Sequence, residues 1–107
     1  MTLKHSVPHD LELELAQKAV TVALDSYAQK FSQYAPRVSW IRAHSASISF
    51  RVKNVSLEGT VDVNAGAILI DLKVPFVLRV FKGKAIEIIE REIKVWLDKA
   101  RAGELDG

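Results

Sequence analysis

Apolar residues along this chain follow first a helical period, then an alternating one, then a helical one again. Leu13, Ala16, Val20, Ala23, Leu24, Tyr27, Phe31 and Tyr34 recur in steps of three and four, which stacks them on one helix face. The stretch "LELEL" at 11–15 alternates and by itself would open a strand, but the longer window outweighs it. Ser6 reads as an N-cap, with Pro8 tolerated in the first turn. Asp10, Glu12 and Glu14 suit the positive end of a helix dipole, and Pro36 supplies a stop. The pattern predicts a helix over about residues 8–34.

The period then changes to two. Val38 and Trp40 alternate with Ser39 and Ile41; Ile48, Phe50 and Val52 alternate with Ser47, Ser49, Arg51 and Lys53. Leu57, Val61 and Val63 alternate with Glu58, Thr60 and Asp62, and Ile68, Ile70 and Leu72 with Leu69, Asp71 and Lys73. These are four strands, each with a dry and a wet face, which points to an antiparallel sheet buried on one side. "NAG" at 64–66 and "KNVS" at 53–56 read as tight turns, and "AHSA" at 43–46 as a less regular connection.

The last segment is helical again. Ala85, Ile86, Ile89, Ile93, Trp96, Leu97 and Ala100 form one face; Glu87, Glu90, Arg91, Lys94, Asp98 and Arg101 form the other. Gly103 is placed to end it. The expected fold is α+β: two layers in the order helix, four-stranded antiparallel sheet, helix (αββββα), with both helices on one face of the sheet. The chain reads as a single domain over 1–107, with a core over about 5–102 and a frayed tail at 103–107.

The join between sheet and second helix, "VPFVLRVFKGK" at 74–84, is irregular. Extending the helix backward in register buries Leu78 and Phe81, but also Lys82, whose charge would cost several kcal/mol without a partner. A register break at Gly83 removes the conflict, so 76–82 reads as a separate turn or short helix bent against the main one. Alternatively Lys82 buries its stem and lifts its ammonium into water. Phe81, Ile88 and Val95, seven apart, lie beside the main apolar face, and Leu11, Leu15 and Val22 widen the first helix on its opposite side. Such rows serve contact between the helices, self-association, or an apolar surface outside the protein. Arg79, Lys82 and Lys84 form the only local basic cluster, suited to solubility or to an anionic apolar surface.

Composition narrows the chemistry. The net charge is +2 with both signs mixed, so there is no basic arm and no nucleic-acid partner is expected. With no cysteine there is no disulfide, thiolate site or cysteine nucleophile, which fits a cytoplasmic protein. The start "MTLKHSVPHD" lacks a signal-peptide core, and no apolar run is long enough for a transmembrane segment. His5 and His9 are four apart, but a third metal ligand is missing, and Ser6 has no glycine-rich elbow or orienting acid. His44 reads as a solvated loop residue, and Trp40 and Trp96 as core. The expectation is no catalytic residue, no metal and no cofactor.

Several segments together carry a resemblance. "KHS" near the start leads to a long helix, then to "VSW", "ISF", "LEGTVDV" and "IDLKVPFVLRVFKGKAIEIIEREI". This pattern resembles the polyhydroxyalkanoic acid system proteins, small bacterial proteins associated with storage-polyester granule genes, over about residues 3–100. The most specific part is Leu72–Ile93; the "W-x-G-D" turn common in that family is replaced here by "WIRAHSAS", so the first hairpin should differ. The resemblance implies a non-enzymatic accessory role in polyhydroxyalkanoate metabolism and supplies no catalytic residues. The surface residues in question are Arg79, Phe81, Lys82, Lys84, Ile88 and Val95, with the polyester granule or its coat proteins as partner. A homodimer pairing Leu11, Leu15 and Val22, or a small domain binding an acyl group or other hydrophobic ligand, are the alternatives.

Overall fold

The computed structural model describes residues 2–52 and 54–104, with the side chains of Phe81 and Lys82 outside the described set. The elements are β1 (Thr2–Pro8), α1 (Leu13–Lys30), a 3₁₀ turn (Ser32–Tyr34), β2 (Arg37–Arg42), β3 (Ser45–Val52), β4 (Val55–Asn64), β5 (Ala67–Lys73), a second 3₁₀ turn (Phe76–Phe81) and α2 (Lys82–Arg101). The sheet has five strands in the order β1-β5-β4-β3-β2, every neighbouring pair antiparallel. Both helices cover its dry face, and their buried residues join those of the sheet in one core.

The fifth strand corrects the reading of the N-terminus. Ser6 is no helix cap: it pairs with Leu69 in the middle of β1, and Pro8 ends that strand opposite Ala67. Leu3, His5 and Val7 lie opposite Leu72, Ile70 and Ile68, the inward row of β5, and therefore face the helices. Proline is admissible because β1 is an edge strand, where one side of the backbone has no ladder partner. The helix accordingly spans Leu13–Lys30 rather than 8–34, and its N-cap, Glu12, makes no side-chain capping bond. The corner between β1 and α1 is held by His9. Its Nδ1 accepts the Leu11 N–H at 3.1 Å, so Nε2 carries the proton and donates to the Asn64 carbonyl at 2.8 Å.

The central meander follows the alternating pattern. Ile48 and Phe50, Leu57, Val61 and Val63, and Ile68, Ile70 and Leu72 are buried. The turn after β4 is the pair Ala65–Gly66, with Gly66 at φ +86°, and the turn after β3 has Asn54 at φ +66°, both in the left-handed region that tight hairpins use. That turn's other residue, Lys53, lies outside the described residues. Between β2 and β3 the register shifts at Trp40 and Arg42, a bulge that accommodates the Ala43–His44 turn.

At the end of α2, Gly103 adopts φ +76°. Its N–H donates to the Ala100 carbonyl at 3.1 Å and that of Glu104 to the Lys99 carbonyl at 2.8 Å, the paired bonds of a Schellman cap. Of the expected tail, residues 105–107 lie outside the described residues.

One charged group joins the two helices. Glu92 on α2 is buried, both its carboxylate oxygens lie 3.2 Å from Lys30 Nζ on α1, and Trp96 Nε1 donates to it at 3.1 Å. Burial alone would raise its pKa; hydrogen bonds from Ser26, Trp96 and Lys30 outweigh that, and the net shift is downward. Because the folded-state value lies below the unfolded one, Glu92 contributes stability above the ordinary carboxylate range. That contribution is lost as pH falls through the folded-state value. Glu92→Gln should therefore flatten the acid limb of stability, measured by denaturant titration between about pH 7 and about pH 3. An unchanged acid limb would mean that Glu92 is not the linked group.

Candidate docking surface

Beyond β5 the chain turns at Pro75 and enters the 3₁₀ turn Phe76–Phe81. The register break expected at Gly83 is present slightly earlier: 3₁₀ geometry ends at Phe81 and α geometry begins at Lys82. In a 3₁₀ helix residues three apart eclipse one another, so the six-residue turn presents three ridges. Leu78 points inward and is buried, as is Val74 just before the turn. The other two ridges point out. Phe76, Val77 and Val80 are 69%, 66% and 76% exposed, which makes them the most exposed of the large apolar residues described.

Arg79 completes the patch. Its guanidinium lies 4.0 Å from the centroid of the Phe76 ring, and Nη1 donates to the Phe76 carbonyl at 3.0 Å. The cation is thus fixed over an aromatic face within the apolar turn, an arrangement that contributes about 0.5–1 kcal/mol at an exposed site.

Other residues singled out from the sequence are dispersed. Lys84, exposed, and Ile88, half-buried, border a separate groove at the start of α2. Val95 is 41% exposed further along α2. The side chains of Phe81 and Lys82 lie outside the described residues. Leu11 and Leu15 are half-buried against the core, and Val22 is half-buried on α1. Phe76, Val77 and Val80 escaped the sequence reading because an unbroken apolar run has no period to say which members turn outward. The residue before them, Pro75, was the usable signal, since a proline there ends β5 and forces a new direction.

The groove lies between the C-terminal end of α1, the ends of β3 and β4 that meet at their turn, and the start of α2. It encloses about 220 Å³. Tyr27, Phe31, Tyr34 and Phe50 form its aromatic wall. Tyr27 and Phe31 are tilted at 5.2 Å between centroids, and Tyr27 meets Phe50 edge-on at 6.3 Å. Val52, Leu57, Ala85 and Ile88 supply aliphatic surface. Burial, with the nearby Tyr34 phenol a smaller cause, pushes the Tyr27 hydroxyl up to about 12, so it remains a protonated donor.

The histidines have structural partners. His5 Nε2 lies 2.8 Å from Glu90 Oε2, and Lys94 lies 3.2 Å from the same oxygen. The His5 hydrogen bond is the main cause of the lowered Glu90 pKa. His44 Nδ1 lies 2.9 Å from Gln17 Oε1, which ties that turn to α1. Among the described residues no three or more His, Cys, Asp or Glu side chains converge to hold a metal ion.

The family described as putative polyhydroxyalkanoic acid system protein matches residues 4–98. The chain belongs to that family. The matched span includes most of β1, the whole meander, the exposed turn and most of α2. No curated protein matches the chain. No described helix is long and apolar enough to cross a membrane.

Proposed function

We propose that this polyhydroxyalkanoic acid system protein is a non-enzymatic accessory protein of storage-polyester metabolism that docks on the granule surface through the turn Phe76–Phe81. The observation that carries the reading is the outward presentation of Phe76, Val77 and Val80 around Arg79, on a turn anchored by Leu78. Fully burying a side chain of this kind contributes about 1.5–3 kcal/mol. Three side chains about two-thirds exposed therefore supply roughly 4 kcal/mol. A cation against an anionic coat adds about 1 kcal/mol. That sum favours reversible docking over permanent insertion. It would act in the cytoplasm, with the protein exchanging between solution and granule.

Co-sedimentation with amorphous polyhydroxybutyrate particles, bare or carrying granule coat proteins, tests this directly. The wild-type chain should pellet with the particles, and a variant carrying Phe76→Ser, Val77→Ser and Val80→Ser should stay in solution with an unchanged circular dichroism spectrum. A wild-type chain that ignores both kinds of particle, or a triple variant that still pellets, would overturn the reading. Light scattering on the same samples would report whether the docking species is a dimer.

A further inference from the structure

The groove at the start of α2 is chemically distinct from the docking turn and shares none of the four residues assigned to docking. We infer that it binds a short acyl chain ending in a carboxylate, with the chain against the aromatic wall and the carboxylate at Lys84. The inference does not rest on granule docking.

Three observations combine. First, the lining is apolar and rigid: Phe50 and Leu57 belong to the buried core, and the ring contacts of Tyr27 fix the wall. Aromatic and aliphatic lining of this kind is what small-molecule sites use for the body of a ligand. Second, Lys84 is the only charged group among the described lining residues, and it makes no ion pair with any described residue. A single cation at the edge of an apolar groove complements a ligand with one anionic end. Third, Tyr27 lines the groove and its hydroxyl stays protonated, which makes it a donor for a ligand oxygen that reaches it.

Size limits the ligand further. The groove's volume of about 220 Å³ is below the roughly 300 Å³ at which sites for drug-sized ligands begin. A short chain fits that space better than a full-length fatty acid. The carboxylate could belong to a free acid or to the end of a polyester chain, and these share the same chemistry.

The test is calorimetric titration of the full chain with octanoate, with octanol as the uncharged comparator and with a hydroxybutyrate oligomer as the polymer end. Octanoate should bind. Lys84→Gln should weaken it about tenfold while leaving octanol unchanged, and Ala85→Phe, which fills the groove, should abolish both. Tighter binding of the oligomer than of octanoate would assign the carboxylate to a polymer end, and the reverse to a free acid. The inference is overturned if neither octanoate nor the oligomer binds. It is also overturned if Lys84→Gln weakens octanol equally, or if binding survives Ala85→Phe in a folded variant. Particle co-sedimentation by Ala85→Phe should remain as in wild type, which separates this site from the docking turn.

Discussion

Replacing Gly59 by valine should cost about 3 kcal/mol, although valine is the better strand former by intrinsic preference. Gly59 sits in β4 directly between Ile48 of β3 and Leu72 of β5. A side chain there would fall on the Asp71 carbonyl and within 2.6 Å of Leu72 Cδ2. The first obstacle is backbone, so relief requires displacing β5, the strand that also carries β1. A loss of this size is a large share of the ~5–15 kcal/mol that stabilises a typical domain. The midpoint of thermal unfolding should fall by roughly 12 °C or more. Thr60→Val, on the outer side of the same strand, is the control and should change stability by about 0.5 kcal/mol or less. If the two variants unfold alike, the close approach of β4 and β5 at Gly59 is not a constraint.

Leu78→Ala should be the second large effect, about 3 kcal/mol, from lost burial and the cavity left under the turn. Leu78 is the inward ridge of the Phe76–Phe81 turn. Its loss should free that turn before the rest of the molecule, giving early protease cleavage between Pro75 and Lys84 as well as a lower unfolding midpoint. Val80→Ser on an outward ridge should change stability by about 0.5 kcal/mol or less. Equal costs at the two positions would mean that Val80 is covered, and the docking surface would lose its main element.

Sequence reasoning located most of the fold because the strands of the meander keep a strict period of two and α2 keeps one face. It placed the inward residues of β3, β4 and β5 and the glycine that caps α2. It failed at the N-terminus for a specific reason. The inward row of β1 is Leu3, His5 and Val7, and a histidine in the middle position breaks the apolar alternation. The more visible alternation, "LELEL", lies at the helix start instead, where Leu11, Leu13 and Leu15 are all only half-buried against the core. Ser6 and Pro8 then imitated a helix entry. The burial of Glu92 was equally hidden, because its neutralising partner Lys30 lies on the other helix.

The candidate surface was legible as a segment but not as a set of side chains. The break before α2 followed from the conflict at Lys82, whereas the division of the apolar run into inward and outward ridges depends on 3₁₀ geometry that the sequence does not announce. The groove was less visible still, since its wall is assembled from α1, β3, β4 and α2 and no linear motif records their meeting.

The pairing of β1 with β5 has a consequence for the order of assembly. β2 to β5 form a meander of neighbouring hairpins, which can zip through local contacts. β1 joins only across the far edge, with Val7 opposite Ile68 and a helix and three strands between them in the chain. Closing so long a loop is entropically costly until β5 is in place to reward it. During synthesis, β1 would therefore emerge early and wait unpaired, and its docking should be among the last steps in which the sheet becomes complete.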